Sequence, residues 1–99
     1  MSCYAVHFED DPARHAVRET WRKSHLAFLG AHADRVLAAG ALCREGSDAP
    51  VGGLWLVSAA SELQARELIE ADPYFAHGLR RTVRVWRYEA ALPGRTLTL

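Results

Sequence analysis

The sequence predicts one small α+β domain with its elements in the order β-α-β-β-α-β. Three observations carry this. Apolar residues alternate with period two at both ends of the chain, over 3–9 and 81–90. Between them, residues 15–32 repeat with helical spacing. A Gly-Ser-Asp-Ala-Pro segment at 46–50 then separates two further apolar runs, 35–45 and 51–59.

In the first strand Tyr4, Val6 and Phe8 share one face, with Ala5 and His7 on the other. Asp10-Asp11-Pro12 breaks the strand and supplies acidic residues for a helix start. At 100° per residue, Val17, Trp21, His25, Phe28, Leu29 and His32 fall on an arc roughly 120° wide, while Arg14, Arg18, Glu19, Arg22 and Lys23 fall mostly outside it. The run 35–45 reads as a second strand, with Gly40 as a bulge or point of close approach. The third strand, 51–59, is apolar on both faces. Ser61 caps a second helix whose Leu63, Leu68 and Ile69 form its apolar side. Asp72-Pro73 ends that helix and starts a further short turn, with proline in its favoured first position. The last strand places Val83 and Val85 on one face and Arg84, Trp86 and Tyr88 on the other. Pro93-Gly94 divides a domain of residues 1–92 from a tail of 93–99.

This order favours a ferredoxin-like four-stranded antiparallel sheet with two helices on one face. The other face stays bare and carries aromatics, so a homodimer through the open sheet face is expected. The 99 residues leave room for a single core, and 49% apolar with 24% charged residues is a globular balance. Twelve basic and twelve acidic residues cancel, which argues against nucleic acid and against an anionic membrane as partners. Cys3 and Cys43 stand far apart without a CxxC, and residues 1–10 carry neither a basic region nor a long apolar stretch. A cytoplasmic location is expected.

Histidine on the buried arc is the unusual feature of the first helix. His25 reads either as a core histidine with satisfied ring nitrogens or as a general acid/base near neutral pH. His25 and His32 are seven apart, which does not suit a helical metal pair, so no metal is expected. Asp72 has a structural explanation as the cap before Pro73, compatible with orienting an imidazole. The basic stripe Arg80, Arg81, Arg84 and Arg87 lacks the aromatic pattern of an RNA-recognition strand. Gly52-Gly53 lacks the lysine and following helix of a phosphate loop, and no serine sits in a nucleophile elbow.

Tyr4-Ala5-Val6, the segment Arg22-Lys23-Ser24-His25-Leu26-Ala27-Phe28-Leu29, Ala39-Gly40 and Ala71-Asp72-Pro73-Tyr74 resemble the YciI-like family over about residues 3–90. The resemblance implies the dimeric α+β-barrel form of the ferredoxin-like fold, akin in architecture to muconolactone isomerases. It implies that His25 and Asp72 meet in a pocket as a His–Asp pair. One group in the family removes chloride from a chlorinated hydroxyquinol. On this basis the expected activity is acid/base chemistry, without a cofactor, on a cyclic hydroxylated or lactone-type small molecule: isomerisation, hydrolysis or elimination. Trp21, Trp55, Tyr74 and Arg22 are the expected substrate contacts, with Arg14 and Arg18 as further holders of an anionic group. Rival readings are a non-catalytic dimeric metabolite-binding or accessory protein and a monooxygenase on the same barrel. The loop 46–50 is shorter than in some relatives, and His32 lies outside the family pattern.

Overall fold

In the computed structural model, which describes residues 1–98, strand β1 spans Ser2–Asp10 and a 3-10 turn follows at Pro12–Arg14. Helix α1 is Ala16–Ala31, β2 is Val36–Cys43, β3 is Pro50–Ala59, α2 is Glu62–Glu70, α3 is Pro73–Ala76 and β4 is Arg80–Tyr88. The sheet order is β2-β3-β1-β4, with every neighbouring pair antiparallel. This is the ferredoxin-like arrangement expected from the element order.

The period-two pattern of β1 does what a half-buried strand requires. Tyr4, Val6 and Phe8 are buried and pair across to Val57, Trp55 and Gly53. Ala65, Leu68 and Ile69 of α2 close over this core, and Phe28 and Leu29 of α1 pack against it. Both helices therefore lie on one face. Ser61 caps α2 as expected, its hydroxyl accepting the Gln64 N–H at 3.1 Å. Leu63, expected on the apolar side, is 68% exposed; the small Ala65 occupies the buried stripe instead. Gly40 is neither a bulge nor crowded, because the register shifts of β2 fall between Val36 and Ala38 and between Leu42 and Cys43.

The opposite sheet face remains open in the single chain. Leu54, Trp86 and Tyr88 expose 44%, 63% and 48% of their surface there, an apolar patch on the face without helices. The expected dimer barrel is a matter of how a second chain would cover this face. No helix is long and apolar enough to cross a membrane among the described residues.

Gly52 and Gly53 serve the sheet. A Cβ on Gly52 would fall on the Phe8 carbonyl oxygen, a backbone atom that moves only with β1. Gly52→Ala is expected to destabilise the fold by about 1–3 kcal/mol through this overpacking, read as a lower midpoint in urea denaturation with an unchanged slope.

Candidate functional site

Local sequence sets the position of Asp72. Pro73 disfavours helical backbone at the preceding residue, and Asp72 is extended at φ −69° and ψ 133°. Its carbonyl accepts the Ala76 N–H at 2.9 Å, opening α3, yet its carboxylate makes no capping bond. The side chain turns inward, is 1% exposed, and Oδ1 lies 2.7 Å from Nδ1 of His25. The cap explanation of Asp72 is thus not the one realised: the backbone stands at a cap position, and the carboxylate is committed to the imidazole.

His25 is the one buried residue of α1. Its ring lies flat on Tyr74, with centroids 3.8 Å apart and planes 10° from parallel. The Tyr74 hydroxyl donates to the Arg18 carbonyl at 3.1 Å, which ties α3 back to α1. Held by a carboxylate at one nitrogen and by an aromatic plane, the imidazole has a fixed orientation. A carboxylate only accepts, so Nδ1 carries the hydrogen toward Asp72; in the neutral imidazole the lone pair is then on Nε2, which makes no hydrogen bond among the described residues. The ring borders a cavity of about 230 Å³, lined by α1, β2, Trp55, Tyr74 and Arg80. Pockets for drug-sized ligands run to roughly 300–1,000 Å³, so this one is sized for a single substituted ring. Roomier depressions of about 560 and 450 Å³ contain neither His25 nor Asp72.

Of the expected substrate contacts, Trp55, Tyr74 and Arg22 border the cavity. Trp55 and Tyr74 are almost fully buried walls, whereas Arg22 is at an exposed rim. Trp21 is not brought to the cavity: its indole stacks on His77 at 3.6 Å. Arg14 lies against Gly78. His32 closes the end of α1, its Nδ1 2.9 Å from the Phe28 carbonyl, away from His25. No three His, Cys, Asp or Glu side chains converge as a metal site among the described residues.

A second buried group escaped the sequence reading. Asp10, a strand breaker by its Asp-Asp-Pro context, is the last residue of β1 and 7% exposed. Its Oδ2 accepts from Arg18 Nε and its Oδ1 from Arg80 Nη1, both at 2.9 Å. A β-bulge makes this possible. The β1–β4 register slips between Glu9 and Asp10, so Asp10 pairs with Arg80 rather than continuing the alternation to Arg81. Arg80 then lies inside, 4.2 Å over the Phe8 ring, while Arg81 is exposed. Gly53 leaves space for it, since a Cβ there would meet Arg80 Nη1 at 3.2 Å. Burial pushes the Arg80 guanidinium below the ordinary arginine value, while the hydrogen bond and charge of Asp10 pull it back up. Arg18 and Arg80 both border the His25 cavity. Period-two alternation and Gly52-Gly53 were the available signals, but the bulge that selects Arg80 has no local signature.

No curated protein matches this chain. Among solved structures, it is similar to the 5-chloro-2-hydroxyhydroquinone dehydrochlorinase of Burkholderia phenoliruptrix AC1100, determined in complex with 2,5-dihydroxybenzoquinone. The TM-score is 0.78 at 23% identity, covering 88% of this chain and 93% of that chain. It is also similar to a protein of Bacteroides thetaiotaomicron VPI-5482 provisionally assigned as an antibiotic biosynthesis monooxygenase, with a TM-score of 0.60 at 15% identity, covering 98% and 95%. At these identities the likeness is one of fold. The YCII-related domain model matches residues 2–89, nearly the whole chain. With that match, and with the fold the residues themselves dictate, the chain belongs to the YCII-related domain family.

Proposed function

We propose that the protein is a small-molecule enzyme in which His25 and Asp72 act as an acid/base pair on a cyclic hydroxylated or lactone-type substrate. One observation carries the reading. A buried carboxylate forgoes the cap bond that its backbone position offers, and spends Oδ1 on the imidazole of a residue 47 positions away. That arrangement fixes which ring nitrogen is basic and gives a charged imidazole a counter-ion, the two services a general base needs. Nε2 takes a proton from the substrate ring or its hydroxyl and returns it at another atom, or to a leaving group. Isomerisation, lactone opening and elimination all fit this traffic, and none calls for a cofactor. The dehydrochlorinase of similar fold was determined with 2,5-dihydroxybenzoquinone, so hydroxylated six-membered rings are the class to screen first. Trp55 and Tyr74 would flank the ring, with Arg22 at the entrance.

The test is turnover of a substrate found in that screen by the wild type and by His25→Asn. Retention of full activity in the variant would sink the acid/base role. A ring that raises thermal stability but is never consumed by the wild type would leave a metabolite-binding protein.

The active form on this reading is a homodimer paired through the open sheet face, because Leu54, Trp86 and Tyr88 otherwise face water. Leu54→Asp is expected to convert the dimer to monomer, as a carboxylate buried in an apolar interface lacks a partner. Sedimentation velocity at micromolar concentration reads this; a wild type already monomeric at those concentrations would refute the pairing. Cys3 and Cys43 are unpaired, which suits the reducing cytoplasm where we place the protein.

A further inference from the structure

Two guanidiniums share one carboxylate beside the proposed base. Arg18 and Arg80 both bond Asp10, with side chains 18% and 2% exposed, and the carboxylate itself is 6% exposed. Asp10 has one negative charge to divide between two cations. The next carboxylate, Asp72, bonds His25 through Oδ1; its Oδ2 is buried without a hydrogen bond, and its charge reaches Arg80 more weakly than that of Asp10. Arg80 Nε is buried with no hydrogen-bond partner. An arginine held this deep with a donor unspent is costly, and cost of that kind persists where a ligand supplies the missing partner.

The surrounding chain is built to hold these groups in place. Arg18 Nη2 donates to the Gly52 carbonyl at 2.9 Å, and Gly53 leaves the space against which Arg80 lies. The β-bulge at Glu9/Asp10 brings Asp10 opposite Arg80. The glycine pair, no phosphate loop, is the seat of the two arginines. Both guanidiniums also stand 5.4 Å from the Tyr74 ring, the same ring that stacks on His25. A planar molecule beside the imidazole is therefore within the field of both cations.

We propose that Arg18 and Arg80, anchored on Asp10 and seated on Gly52-Gly53, form an oxyanion subsite that selects planar rings carrying an ionised hydroxyl. The inference rests on reading the His25 cavity as the substrate site. It adds the charge state of the substrate and sets Arg80 as a specificity-determining residue beside Arg18, which the sequence already offered as a holder of an anionic group. When a ring hydroxyl gives its proton to Nε2, the O–H electron pair stays on oxygen, and that oxygen faces guanidinium rather than apolar wall.

The test compares two probes of one shape: 4-nitrophenol, held above its ionisation pH, and 4-nitroanisole, which has an O-methyl group in place of the charge. Binding is read by calorimetry. Wild-type protein is expected to bind the phenolate about tenfold or more tighter than the ether, as a desolvated charge-assisted contact provides. Arg18→Gln, which leaves the Asp10–Arg80 pair intact, should lose most of that preference with the ether affinity unchanged. Arg80→Lys is a second variant that keeps a charge for Asp10 and removes the fork. Arg66→Gln, which deletes an exposed charge on α2, should bind like wild type. Equal wild-type affinities, no binding of the phenolate, or a preference untouched in both Arg18→Gln and Arg80→Lys would overturn the subsite. His25→Asn separates the two readings. A phenolate preference that persists in it supports the subsite even if turnover also persists and the acid/base role fails.

Discussion

Replacing His25 by Asn is expected to lower turnover by about 10²–10⁴, the range that a positioned general acid/base contributes. Asn is the informative choice because its amide N–H can still donate toward Asp72, so the carboxylate keeps a partner while the imidazole is gone. A circular dichroism melt close to that of the wild type would establish that chemistry, not folding, was lost. Asp72→Asn should cost less, since the ring remains, but it removes the counter-ion and the acceptor that set the ring's tautomer. The double variant is the sharper measurement. If the two residues act as one unit, removing both costs little more than removing His25 alone. Losses that multiply in kcat would mean that Asp72 acts elsewhere.

The stacking of His25 on Tyr74 bears on the same measurement. Tyr74 is 2% exposed and hydrogen-bonded to the α1 backbone, so it positions the imidazole as much as it walls the cavity. Aromatic pairs of this kind contribute about 0.5–1.5 kcal/mol beyond the area they bury. That modest figure shows why Asp72, not the stack, is the partner to cut first.

The residues that were legible in the sequence are those whose roles are local. Tyr4, Val6 and Phe8 show their burial by alternation, Ser61 shows its cap by preceding a helical run, and His25 shows its burial by sharing an arc with Phe28 and Leu29. Asp72 was legible by two routes: the backbone turn follows from Pro73, whereas its pairing with His25, on another helix, came from the family resemblance and not from spacing. Asp10 and Arg80 were hidden. They meet across 70 residues through a register slip, and each read naturally as something else, a strand end and a member of a basic stripe. Period-two logic favours Arg81 as the inward residue, and one inserted residue exchanges it for Arg80. Leu63 errs in the opposite sense: it is apolar and on the expected helix, yet exposed because the α2 stripe that meets the sheet runs through Ala65, Leu68 and Ile69.

Asp10→Ala is expected to be the costliest substitution for stability, about 3–5 kcal/mol, because it strands buried charge instead of removing it. Arg80 would lose the carboxylate that opposes burial and would keep the repulsion of Arg18. Its escape is to swing outward, which removes its stacking on Phe8 and its part of the His25 cavity wall together. Asp10→Asn, which keeps acceptor geometry without charge, should fall between Ala and wild type. Breaking the exposed Arg66–Glu62 pair, 42% and 56% exposed, should shift stability by no more than about 0.5 kcal/mol. Urea denaturation at low and high salt distinguishes the two kinds, since only the surface pair is screened. A fold that could be held as well by apolar contacts has little need of this trio for stability alone: concerted replacement of a buried ionic triad by apolar residues is often neutral or stabilising. Asp10→Leu, Arg18→Met and Arg80→Leu together are therefore expected to recover most of what Asp10→Ala loses while binding phenolate no better than its methyl ether. Recovery of stability with the preference intact would mean that the arginines only brace the sheet.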